Sequence, residues 1–128
     1  MVYWLLGKTL LRQLQQQMLC LNYCSKELLN ACYVVFTREQ TNDSEQLAQY
    51  AQKAPLTREG RDLTALAFYG EFEVLEGNNI EGAVILRFPD MAAARDWYNS
   101  PTYQEALKHR LNGASYRVFI IEGTEGLL

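Results

Sequence analysis

From residue 31 onward, short runs of β-branched and aromatic residues alternate with stretches in which apolar residues recur every three or four positions. The run Cys32-Tyr33-Val34-Val35-Phe36-Thr37 reads as a first strand, apolar at consecutive positions and therefore covered on much of its surface. Thr41-Asn42-Asp43-Ser44 supplies capping side chains, after which Leu47, Tyr50, Ala51 and Ala54 fall on one helical face. Pro55 ends that helix near Ala54, because proline cannot donate the next backbone hydrogen bond. The polar residues 57–62 then read as a surface connection.

Strand character resumes at Leu66-Ala67-Phe68-Tyr69, with Gly70 marking a bulge or bend before Glu73-Val74-Leu75. Glu76-Gly77-Asn78-Asn79 carries residues that accept positive φ, so the strand before it and residues 83–88 are expected to pair as a hairpin. Asp90 is the expected N-cap of a helix whose inner face is Met91, Ala94, Trp97 and Tyr98. Ser100-Pro101 starts a second segment, with Ser at the N-cap and Pro at the first helical position. Tyr103, Ala106, Leu107, Arg110 and Leu111 line its face, and Asn112-Gly113 stops it. Residues 116–121 form a last strand.

Strand, helix, strand, strand, helix, strand is the order of the split βαβ unit. It predicts an α+β, ferredoxin-like βαββαβ domain: a four-stranded antiparallel sheet with its helices on one side. Apolar residues at consecutive strand positions imply that the other sheet face is covered too. The expected cover is the same sheet of a second chain, so a homodimer about a two-fold axis is the expected partner arrangement.

The first thirty residues follow a different pattern. Leu11, Leu14, Met18, Leu21 and Leu28 lie along one helical stripe if Ser25 fills the gap. With Gly7 and Ser25 at seam positions the stripe makes a poor coiled coil, and the segment reads as a helical or frayed extension. The organisation is thus 1–30 extension, 31–123 domain and 124–128 tail.

Charge changes this picture in one respect. The chain has 12 Lys and Arg against 15 Asp and Glu, yet the first thirty residues are net positive, so the negative charge is concentrated in the domain. An acidic domain repels phosphate backbones, and no basic stripe interleaved with aromatics is present, so no nucleic acid is expected. No uncharged apolar stretch approaches a membrane span and no signal-peptide pattern appears, so no membrane partner is expected. Cys20, Cys24 and Cys32, an odd number without a Cys-x-x-Cys pair, suit free thiols in a reducing cytoplasm and no metal site.

Candidate chemistry is sparse. No catalytic residue declares itself; the candidate is His109, the residue type most used as a general base, although a helix-end histidine also suits the negative end of the helix dipole. Arg110 is a guanidinium on an apolar helix face and needs either a carboxylate of the protein, Glu73 or Glu122, or an anionic ligand. Trp97, Tyr98 and Tyr103 cluster around Ser100-Pro101, and Tyr50 and Tyr69 are placed to join them, as core or as the walls of a pocket for a small organic ligand. No phosphate loop, nucleophile elbow or paired-carboxylate signature occurs, and no cofactor is expected.

Several of these residues carry a resemblance. Tyr33-Val34-Val35, Glu73-Val74-Leu75-Glu76-Gly77, Phe88-Pro89, the block Trp97-Tyr98-Asn99-Ser100-Pro101-Thr102-Tyr103-Gln104 and Ile121-Glu122-Gly123 resemble the bacterial domain of unknown function 1330 family. The resemblance implies a dimeric α/β barrel of ferredoxin-like subunits, with no agreed reaction. Related dimeric barrels include cofactor-independent monooxygenases and small isomerases. Two functional expectations follow: a small-molecule-binding dimer with cofactor-independent acid/base chemistry by His109 or a tyrosine, or a noncatalytic dimeric interaction module.

Overall fold

The computed structural model describes residues 30–124, of which all but Asn30 belong to the unit Ala31–Leu128. The expected N-terminal helical stripe lies outside the described residues. The elements are β1 (Cys32–Thr41), α1 (Ser44–Lys53) followed by a 3-10 turn (Ala54–Arg58), β2 (Thr64–Phe68), β3 (Gly82–Phe88), α2 (Met91–Asn99), α3 (Pro101–Gly113) and β4 (Ala114–Glu122). The sheet order is β2-β3-β1-β4, every pair antiparallel, which is the ferredoxin-like α+β fold.

The two central strands alternate in burial, β3 throughout and β1 through Phe36. Cys32, Val34 and Phe36 of β1 and Val84, Leu86 and Phe88 of β3 are buried on the face that carries the helices. Trp97 and Tyr103, from α2 and α3, are 1% and 0% exposed and pack at 4.1 Å between ring centroids to complete this core. Each helix start follows its capping chemistry. The Asp43 carboxylate accepts from the amides of Glu45 and Gln46, that of Asp90 from Ala93, and the Ser100 hydroxyl from Tyr103.

Four sequence expectations need correction. Glu73-Val74-Leu75 is not a strand: β2 ends at Phe68, an irregular connection runs from 69 to 81, and Leu75 is 84% exposed. The β2 irregularity falls between Ala65 and Ala67 rather than at Gly70. Thr57 is not a surface residue. It is 5% exposed, donating to the Ala54 carbonyl at 2.6 Å and accepting from Trp97 Nε1 at 3.0 Å, so a buried hydroxyl satisfies the buried indole. Leu111 leaves the inner face of α3, at 65% exposed, and the stripe ends on Arg110 and Gly113.

Gly113 matters through proximity rather than through a left-handed cap. A Cβ there would lie 2.7 Å from the Leu47 backbone nitrogen, and its carbonyl accepts from the amides of Asn42 and Asp43 at 2.8 and 2.9 Å. The end of α3 is thereby fastened to the start of α1.

The opposite sheet face repeats the apolar theme. Across it, Ala67, Ile85, Val35 and Phe119 stand in one register row and Tyr33 and Ile121 in the next, with Phe119 45% and Ile121 52% exposed. Among the described residues no helix is long and apolar enough to cross a membrane.

Candidate functional site

The inner row of β1 continues past Phe36 to Arg38, because β1 runs on to Thr41. Register puts Arg38 between Gly82 of β3 and Tyr116 of β4, while Phe36 lies between Val84 and Val118, with Phe68 beyond Val84. These two rows form the floor of a cavity of about 330 Å³. Its roof is Leu47, Tyr50 and Ala51 of α1 with Ala54, Pro55 and Arg58 of the 3-10 turn, and Trp97 closes the inner end.

Tyr69 straps the outer end. It is a non-glycine residue at φ 51, in the left-handed region that costs an ordinary side chain roughly 1 kcal/mol or more. Its ring lies directly over Gly82, where an added Cβ would sit 2.7 Å from Tyr69 Cδ1. The Arg38 guanidinium stacks 5.1 Å from the ring centroid, and the Tyr69 hydroxyl reaches the Tyr116 hydroxyl at 2.5 Å. The glycine makes room for the ring, and the phenol pair holds it across the sheet end.

A second phenol pair lies deeper. The Tyr50 and Tyr103 hydroxyls are 3.0 Å apart, with rings edge-on at 6.3 Å. Burial is the main cause that pushes the Tyr50, Tyr69 and Tyr103 phenols above their usual range; neighbouring phenols add to it for Tyr50 and Tyr69, and Arg110 opposes it. All three are held as neutral hydrogen-bonding phenols rather than as bases.

Arg110 is the least conventional group. It is 3% exposed, its Nε has no hydrogen-bond partner, and no ion pair reaches it among the described residues. Three rings surround its guanidinium instead: Tyr116 at 4.9 Å, Tyr50 at 5.8 Å and Phe36 at 5.9 Å. All three rings also line the cavity. The expected carboxylate partners are absent for geometric reasons. Glu122 is six residues along β4 from Tyr116, about 20 Å at the rise of a strand, and Glu73 sits exposed in the connection after β2.

Of the residues singled out from sequence, Tyr50, Tyr69 and Trp97 line the cavity, and Tyr103 and Arg110 stand behind its wall. Tyr98 touches Tyr103 at 5.4 Å but lines a separate depression with Met91, Arg95 and Ile120. His109 is not on the cavity; its Nδ1 shares a 2.9 Å hydrogen bond with Gln46 Oε1 of α1. The sequence reading missed Phe36, Arg38, Arg58, Phe68 and Tyr116 as site residues. Extending the alternation of β1 by one step, from Phe36 to Arg38, was the signal that would have found the first cation.

A ferredoxin-like α+β domain with an aromatic cavity between sheet and helices is the class these features define. The profile of DUF1330, a domain of unknown function, matches residues 31–124, and the chain belongs to that family. A search of curated proteins finds no match. Among solved structures the chain is similar to a protein of unknown function from Rhodopseudomonas palustris, 20% identical at a TM-score of 0.61 over 73% of this chain and 82% of that one. It is also similar to a dimeric ferredoxin-like protein of unknown function from Thermobifida fusca, 13% identical, TM-score 0.52, covering 73% and 92% of the two chains. SnoaB, a cofactor-independent oxygenase from Streptomyces nogalater, is 10% identical at a TM-score of 0.51, covering 73% and 93%. At these identities the likeness is one of fold.

Proposed function

We propose that this domain binds a small, flat organic molecule in the cavity between sheet and α1, and that it does so as a homodimer in the cytoplasm. The observation that carries the reading is the convergence of Phe36, Tyr50, Phe68, Tyr69, Trp97 and Tyr116 on one space, drawn from three strands, the connection after β2 and two helices. A core would fill such a space; here the rings wall it. The dimer is supported by the apolar outer sheet face bearing Val35, Ile85, Phe119 and Ile121 and by the dimeric description of the Thermobifida relative. The buried free thiol of Cys32 suits a reducing compartment.

Cofactor-independent chemistry, named for the Streptomyces neighbour, comes to this chain only through the shared fold. Among the described residues the cavity walls carry no histidine or carboxylate, and burial holds the Tyr50 and Tyr69 phenols protonated. Any catalysis by this set is therefore polarisation of a ligand oxygen by phenol donors, with His109 outside it.

The test is a thermal-shift screen of small aromatic and enone-containing compounds on the wild type and on Ala51→Phe, which places a ring in the cavity from the exposed side of α1. Ligands raise the melting temperature of the wild type by linkage, and the variant, folded but filled, loses the response. A wild type that responds to no compound while sedimenting as a dimer is the outcome that favours a noncatalytic interaction module. Phe119→Glu, on the outer face, is expected to yield monomers in sedimentation.

A further inference from the structure

Among the described residues, Arg38, Arg58 and Arg110 each have a buried Nε without a hydrogen-bond partner, and all three line the cavity or pack on the rings that wall it. Arg38 is partly answered: its Nε lies 3.6 Å from a Glu81 carboxylate oxygen, although the two Glu81 oxygens already accept from Thr41 N and Oγ1 at 3.0 and 2.6 Å. Arg58 and Arg110 have no carboxylate among the described residues. Arg58 lies over the Phe68 ring at 5.2 Å, on the cavity lip, and Arg110 is enclosed by aromatic faces. Removing a guanidinium from water without an anion is costly, and ring faces repay only part of it. In a domain that carries net negative charge, two arginines line this space and a third stands behind its rings.

We infer that the ligand of this cavity is an organic anion, a small aromatic or conjugated carboxylate whose charged end meets Arg58 beside Arg38 and whose flat body lies among Phe36, Tyr50 and Trp97. The inference rests on the small-molecule reading given above. Arg58 is the contacting cation, reachable because it is half-buried on the lip. Arg110 acts from behind the Tyr50 and Tyr116 rings as a fixed positive charge in a low-dielectric wall, and the Tyr69 and Tyr116 hydroxyls offer a donor to the second carboxylate oxygen.

Titration calorimetry on the full chain with benzoate, cinnamate and 2-naphthoate, each beside its neutral carboxamide, tests this. At least one carboxylate is expected to bind more tightly than its amide by about tenfold or more, the scale of one charge-assisted hydrogen bond. That preference falls to within about twofold in Arg58→Gln and persists in Arg95→Gln, which removes an exposed arginine away from the cavity. Arg110→Met is expected to reduce the preference as well; where that variant fails to fold, Arg58→Gln carries the test. Amides that bind as tightly as the acids overturn the anion inference and leave the small-molecule reading standing. Binding of neither set overturns both.

Discussion

Phe88 and Phe68 project from the same face of the sheet, one from β3 and one from its edge neighbour β2. Phe88 is 1% exposed and packs against Trp97 at 5.4 Å, under α2. Phe68 is 53% exposed, has the Arg58 guanidinium over its ring and borders a cavity. The residue type and facing are shared; what differs is the strand, edge against interior, and the roof. Above Phe88 stand α2 and α3, which bring Ala94, Trp97, Tyr103, Ala106 and Leu107 fully inward. On the Phe68 side stand α1 and a 3-10 turn, and α1 buries no residue completely. Dense packing is concentrated at one end of the sheet and the proposed ligand cavity lies at the other.

Truncation sharpens that contrast most. Phe88→Ala should cost about 3–5 kcal/mol in urea unfolding, the usual range for a buried aromatic. Gly113→Ala is next, at about 1–3 kcal/mol, since its new methyl meets the backbone of Leu47, which cannot swing aside as a side chain can. Alkali attacks the cavity end. Folding raises the Tyr50 and Tyr103 phenols above their usual value, so the folded chain keeps protons that the unfolded chain releases above about pH 10. Their stabilisation is complete below pH 10 and falls as pH rises, by at most about 1.4 kcal/mol per pH unit for each phenol. Comparing Tyr50→Phe with the wild type across pH 9–11 isolates the first. Phe68→Ala is the smallest in stability, about 0.5 kcal/mol or less, yet it should weaken carboxylate binding. Equal costs for Phe68→Ala and Phe88→Ala would erase the distinction between the two ends.

The packed end was readable from periodicity. Asp90, Ser100-Pro101 and the 103-106-107-110 stripe announce α2 and α3, and consecutive apolar residues announce β1 and β3. The open end was much less so. Glu73-Val74-Leu75 carries strand-prone apolar residues, but propensity does not create a pairing partner, and these residues remain in the connection after β2. The irregularity in β2 depends on register with β3 and needs no glycine, so Gly70 misdirected the reading. Arg38 and Arg58 look like ordinary surface arginines in sequence; only the length of β1 and the turn after α1 aim them inward. Arg110 was legible as an oddity on an apolar face, whereas its ring-lined surroundings depend on three elements distant in sequence. Tyr69 at φ 51 had no local signal, because its conformation is held by Gly82 and Tyr116 from other strands.

The link between Gly113 and the start of α1 bears on timescale. The roof of the cavity is secured where the Gly113 carbonyl takes the amides of Asn42 and Asp43, a closure spanning some seventy residues, while α1 itself has no fully buried side chain to lock it. Amide protons of α1 should therefore exchange with deuterium sooner than those of β1 and β3, through local opening that leaves the sheet intact. Under the proposed small-molecule reading, the residence time of a ligand is expected to follow how often one short helix lifts rather than how often the domain unfolds.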